Sequence, residues 1–140
     1  EVPDALARQV AEAVARLREL DVAKRPGVAE TIDWSQALAF LGDSVLQLVV
    51  TEALWRAAPD DPVGVLTPRR AAIVSGVAVA RWAEAIDLGQ HVRLGRGERD
   101  SGGAAKESVL ATALEAVLAV VYLEAGLDGA RRVVASLALW

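Results

Sequence analysis

At 140 residues, 54% of them hydrophobic, the chain is long enough for one domain with a sizeable apolar core. It has no Cys and a single His, His91, which excludes disulfides, thiolate metal sites and Cys nucleophiles and leaves a Ser–His–Asp triad without support. The net charge of −4 means that any nucleic-acid surface is local rather than global.

Pro3-Asp4 opens a first predicted helix, Ala5–Leu20, with Leu6, Val10, Val14 and Leu17 on one stripe. Asp21–Ile32 holds Pro26-Gly27 and reads as a connector. Asp33 then serves as an N-cap, with Gln36 three residues on as in a capping box, for a helix running through Gly42 to about Ala57. A Gly inside a helix costs about 1 kcal/mol, and the reason expected for Gly42 is close approach of a neighbouring backbone. Pro59–Gly64 is a loop, and Thr67-Pro68 supplies a cap and a first-position Pro for a helix through Val74. Ser75-Gly76 marks a joint before a helix at Val77–Ile86. Leu88–Ala105 is Gly-rich, charged and irregular. Lys106–Ala125 is a second strongly apolar helix, ended by Gly126, and Asp128–Leu139 is a last amphipathic one. No stretch alternates as a strand does, so the fold class is all-α. Two units are expected, residues 1–32 as N-terminal helix and connector and residues 33–140 as the main helical domain. Unbroken apolar runs fall short of the roughly 20 residues of a membrane span. No basic-then-apolar leader opens the chain, so a cytoplasmic protein is expected. Glu1 rather than Met at the start suggests a trimmed segment.

Two carboxylates stand out. Asp43 interrupts QALAFLGDSVLQLVV, and Glu115 interrupts ATALEAVLAVVYL. Burying an isolated carboxylate costs several kcal/mol unless it is paired, hydrogen-bonded or bound to a cation. Two such acids in two apolar helices suggest one shared site. The alternative is that each is neutralised by a nearby Arg or lies at a helix edge. A buried pair without a metal repels and raises one pKa. Helical spacing puts Gln36 and Ala39 on the face of Asp43, and Thr112 on the face of Glu115.

The stretch LAFLGDSVL resembles the signature helix of ribonuclease III domains, roughly glutamate-x-x-glutamate-Phe-Leu-Gly-Asp-x-Val-Leu. The likeness continues in LTPRRAAIV, in VRLGRGERDSGG and in KESVLATALEAVLAVVYLEAGLDGARRVV, covering about Gln36–Val134. It implies an all-helical homodimer that cleaves double-stranded RNA with Mg²⁺, for which Mn²⁺ substitutes, with acids of both helices holding the metal. On that resemblance Asp43 and Glu115 fall on metal-binding positions. The signature's two glutamates are Gln36 and Ala39 here, and the later helix's usual aspartate is Thr112. This reduced pattern is similar to the Mini-III branch, which also lacks a separate double-stranded-RNA-binding domain. Gln36 and Thr112 then become secondary positions that hold waters or a metal-bound phosphate. Leu17–Trp34 resembles the C-terminal lid of MoxR-type AAA+ ATPases, which makes the chain read as a hybrid, whether by natural recombination, fusion or artificial generation. There is no GxxxxGK[ST] loop, so ATP hydrolysis is not expected.

Arg69 and Arg70 are candidate RNA contacts at a helix start, as are Arg96 and Lys106, or all four are simply solvated. Four basic residues of Leu88–Glu107 stand against three acidic ones, so the basic signal there is weak. Phe40 reads equally as a knob into a partner subunit or as a core aromatic. Trp34, Trp55, Trp82 and Trp140 read as packing residues, and His91 as a surface loop residue. The leading expectation is an Mg²⁺-dependent endoribonuclease on structured or double-stranded RNA. The alternatives are a non-catalytic helical dimer that binds RNA or serves as a scaffold, and an interaction module derived from an ATPase lid.

Overall fold

The computed structural model describes residues 28–137, with side chains from residue 36 onward. The expected helix at Ala5–Leu20, the connector up to Gly27, most of the lid-like stretch and Trp140 lie outside the described residues, as does the side chain of Trp34. Among the described residues there are helices and no strands, as the sequence pattern indicates.

Two long helices form the frame, α1 (Val28–Ala57) and the last one, α5 (Glu107–Leu137). They pack along each other over most of their length. Between them in sequence come α2 (Val63–Ile73), α3 (Gly76–Ala85) and the short α4 (Arg96–Asp100), with single 3₁₀ turns at Leu88–His91 and Gly103–Ala105. Helix α3 packs on α5, and α2 lies against α1 without a fully buried residue of its own. The core is built from Val45, Leu46, Val49, Val50 and Leu54 of α1, meeting Leu110, Leu114, Val117 and Leu118 of α5. These residues recur at intervals of three and four, which puts each set on one helical face. With so few aromatics, Ala and Val fill the gaps, as Val79, Ala80 and Ala83 of α3 do.

Three points differ from the expectation. Helix α1 begins at Val28, so Asp33 lies inside it and is not its cap, and residues 28–32 are helical rather than connector. Helix α2 begins at Val63 with Pro62 in the cap position (φ −66°, ψ 151°), so Thr67-Pro68 falls inside the helix. The Pro62 carbonyl accepts from the N–H groups of Val65 and Leu66 at 2.8 and 3.1 Å, which closes the first turn well before Pro68. Pro68 then removes one internal hydrogen bond from a helix already started. The third concerns membranes. Residues 36–57 and 107–137 form helices long and apolar enough to cross one, which corrects the exclusion drawn from unbroken apolar runs. In this fold the two helices set their apolar faces against each other.

Other punctuation is as expected. Ser75 caps α3, its Oγ accepting from the Ala78 N–H at 3.3 Å. Gly126 adopts φ 64° and ψ −169°, which breaks α5, and the chain resumes as helix beyond it.

Candidate active site

Asp43 and Glu115 are brought to the α1–α5 seam by the residue between the helices that has no side chain. A Cβ built on Gly42 would lie 1.7 Å from the carbonyl oxygen of Glu115 and 2.5 Å from its carbonyl carbon. Only glycine permits that approach, and it sets the backbone bearing Asp43 directly against the backbone bearing Glu115. The expectation for Gly42 therefore holds.

Neither acid is fully buried. Both side chains are half-buried, and no charged or polar side chain among the described residues is fully buried. The seam places them at its edge, where one side meets solvent. Burial pushes the Glu115 carboxyl above its ordinary range, and the negative charge of Asp43 adds to the rise. Gln47, one helical turn beyond Asp43, donates from Nε2 to Asp43 Oδ2 at 2.8 Å. Sequence reading passed over Gln47, although an Asp followed by Gln at four residues is a recognised helical hydrogen-bonding pair.

No Arg or Lys pairs with either acid among the described residues. The guanidinium and ammonium groups are drawn to other carboxylates. Arg131 grips Glu52 through two hydrogen bonds, Nε to Oε2 at 2.7 Å and a terminal nitrogen to Oε1 at 2.9 Å, and also reaches Asp128. Arg56 adds a contact to Glu52 at 2.7 Å. The Arg131 hydrogen bond leads in holding the Glu52 carboxyl below its usual range, against the opposing pull of burial. Glu52 and Asp43 thus share one helix but differ in kind: one has its charge answered, the other does not.

The secondary positions are distributed unevenly. Ala39 is buried and offers no donor atom, Gln36 is exposed, and Thr112 is half-buried one turn before Glu115. Among the described residues no group of three or more His, Asp or Glu is placed to hold a metal ion. A cation at the seam would have the carboxylates of Asp43 and Glu115 and otherwise water.

Of the proposed RNA contacts, Arg69 pairs with Asp61 at 3.1 Å, and Arg70 donates to the Thr51 hydroxyl at 3.3 Å. Lys106 pairs with Glu98 at 2.6 Å, and Arg96 stands exposed at the start of α4. Phe40 is 78% exposed, which removes the core-aromatic reading. Trp55 is 61% exposed and is likewise not a packing residue, whereas Trp82 is half-buried against the core. His91 is exposed in a 3₁₀ turn, as expected.

Comparison with known proteins places this architecture. A family model described as ribonuclease-III-like matches residues 27–139. Ribonuclease 3 of Streptomyces coelicolor is 51% identical over 100 residues, covering 71% of this chain and 36% of that protein. Ribonuclease 3 of Caldanaerobacter subterraneus is 48% identical over 103 residues, covering 74% of this chain and 45% of its own. The solved nuclease domain of ribonuclease III from Campylobacter jejuni superposes with a TM-score of 0.72 at 38% identity, covering 74% of this chain and 72% of that one. The chain spans less than half the length of the curated relatives named here. With the family pattern spanning α1 to α5, the chain belongs to the ribonuclease-III-like family.

Proposed function

We propose that this chain is an endoribonuclease of the cytoplasm that hydrolyses phosphodiester bonds in double-stranded or structured RNA as a homodimer, using a divalent cation, Mg²⁺ with Mn²⁺ as substitute. The observation that carries this reading is the Asp43–Glu115 pair, brought together by the Gly42 contact and, among the described residues, without a basic partner. Two neighbouring carboxylates suit a divalent cation, and Mg²⁺ suits so small a set because it retains several waters. Such an ion, when bound, supplies Lewis-acid activation of water for attack on phosphorus.

The residues of the chain divide the remaining work. Asp43 and Glu115, as carboxylates, hold the ion. Gln36 and Thr112 hold waters or a phosphate oxygen beside it. Arg69, Arg70, Arg96 and Lys106 meet RNA phosphates, Arg69 and Lys106 at the cost of exposed ion pairs, which contribute little to stability. The homodimer is supported by an exposed stripe along α1, where Phe40, Leu48 and Trp55 project apolar surface on one side, with Ser44 and Thr51 between them. The Campylobacter jejuni nuclease domain is likewise described with a region involved in dimer formation.

The test is cleavage of a duplex RNA with Mg²⁺ by the wild type, Asp43→Asn and Glu115→Gln. Loss of a ligand removes several kcal/mol of stabilisation, about a hundredfold or more in rate. Equal rates in all three proteins would refute the reading. A second reading, a non-catalytic helical dimer, is favoured by the lack of a third acid at the seam among the described residues. It is distinguished by the absence of any Mg²⁺- or Mn²⁺-dependent gain in melting temperature.

A further inference from the structure

We infer that Gln47 is a positioning residue for the metal-binding carboxylate of Asp43, a role that rests on the function proposed above. Its Nε2 donates to Oδ2 at 2.8 Å, and the bond is half-buried. Asp43 makes no other hydrogen bond among the described residues, so this single donor fixes the rotation of the carboxylate and leaves Oδ1 as its open oxygen. Ligating carboxylates are commonly oriented in this way by an outer hydrogen bond.

The chemistry of the donor matters as much as its position. A guanidinium in the same place would orient the acid and also cancel the charge that attracts a cation. That arrangement exists on the same helix, where Arg131 takes both oxygens of Glu52 and Arg56 adds a second positive charge. An amide orients and leaves the charge intact. With two acids at the seam among the described residues, neither can be neutralised without removing half of the negative charge that they offer a cation. Gln47 lies four residues after Asp43, so the helix itself brings the amide to the carboxylate.

The experiment is a thermal-shift titration with Mn²⁺ alone, without RNA, on the wild type, Asp43→Asn, Gln47→Met and Gln47→Ala. Met keeps the length and apolar stem of Gln, and Ala is the best helix former, so both variants hold the helix while removing the donor. The expected result is a metal-dependent rise in melting temperature for the wild type and little or none for Asp43→Asn. Both Gln47 variants should melt within a few degrees of the wild type without metal, yet need about tenfold more Mn²⁺ for half the shift. A purely structural Gln47 would lower the metal-free melting temperature and leave the Mn²⁺ midpoint where it was. A wild-type midpoint in either Gln47 variant therefore overturns the inference while leaving the metal site standing. No Mn²⁺-dependent shift in the wild type overturns the reading on which it rests.

Discussion

Gly42 on α1 presses so closely on the backbone of Glu115 on α5 that one added methyl group would overlap the Glu115 carbonyl oxygen at 1.7 Å. The atom met is main chain, so it cannot swing aside as a side-chain tip would. Gly42→Ala should therefore push the two helices apart and destabilise the fold by about 1–3 kcal/mol, the usual range for overpacking, despite the better helix propensity of Ala. Urea denaturation measures it. Because the same contact aligns the two acids, the Mn²⁺ midpoint should rise as well, and a stable Gly42→Ala protein with normal metal binding would contradict the geometry.

The raised pKa of Glu115 has a pH signature in the metal-free protein. Its folded state holds the proton more firmly than the unfolded chain does. The stability it contributes is thus fully present below the unfolded pKa and is lost as pH rises through the folded one. Glu115→Gln removes the ionisable group, so at neutral pH the variant should melt above the wild type. That advantage should shrink as pH falls through the raised pKa and be gone once pH is below the ordinary glutamate value. Melting curves across pH 3–8 in a chelating buffer check the sign. Cation binding should show the reverse trend, failing as Glu115 takes up its proton.

Restoring an acid provides a complementary experiment. Thr112 lies one turn before Glu115, half-buried on the same helical face. Thr112→Asp should tighten Mn²⁺ binding, on the order of tenfold, and lower metal-free stability through repulsion with its neighbours. Calorimetric titration measures the first effect and thermal melting the second. A looser ion in the variant would mean that Thr112 does not face the seam.

Phe40 is the most exposed of the large hydrophobic side chains described, and Leu48 is 53% exposed two turns further along the same face. Phe40→Asp places a charge on that apolar stripe. It should shift a homodimer towards monomer by at least about tenfold in dissociation constant, since an apolar anchor lost from an interface costs more than 1 kcal/mol. Sedimentation velocity over a range of concentrations reads the change directly. The monomer itself should remain folded, because Phe40 contributes nothing to the core.

The parts of this architecture written locally were legible from the residues. Helical periodicity marked both long helices, Gly126 marked the break in the last, and the unusual Gly42 pointed to a backbone contact. Boundaries governed by competition between equivalent signals were not. Asp33 looked like a cap, but the apolar and helix-compatible residues before it allow α1 to start at Val28, and Thr67-Pro68 gave way to Pro62 because whichever first turn closes earlier determines the start. The site was half legible. Asp43 and Glu115 announced themselves as charges in apolar surroundings, whereas Gln47 is an unremarkable polar residue until its amide is seen on Asp43. Exposure of Phe40 and Trp55 was beyond sequence reading, since an aromatic side chain looks the same whether it faces the core or the outside.

The clamp of Arg131 on Glu52 bears on how precisely the seam is set. Arg131 lies beyond the Gly126 break, and Glu52 sits ten residues along α1 from Gly42, about 15 Å of helix. A rod held at one point can still pivot and slide, while a rod held at two cannot. By fastening the far end of α1, an ion pair remote from the acids turns the glycine contact from a hinge into a register mark, and the gap between Asp43 and Glu115 inherits its constancy from both.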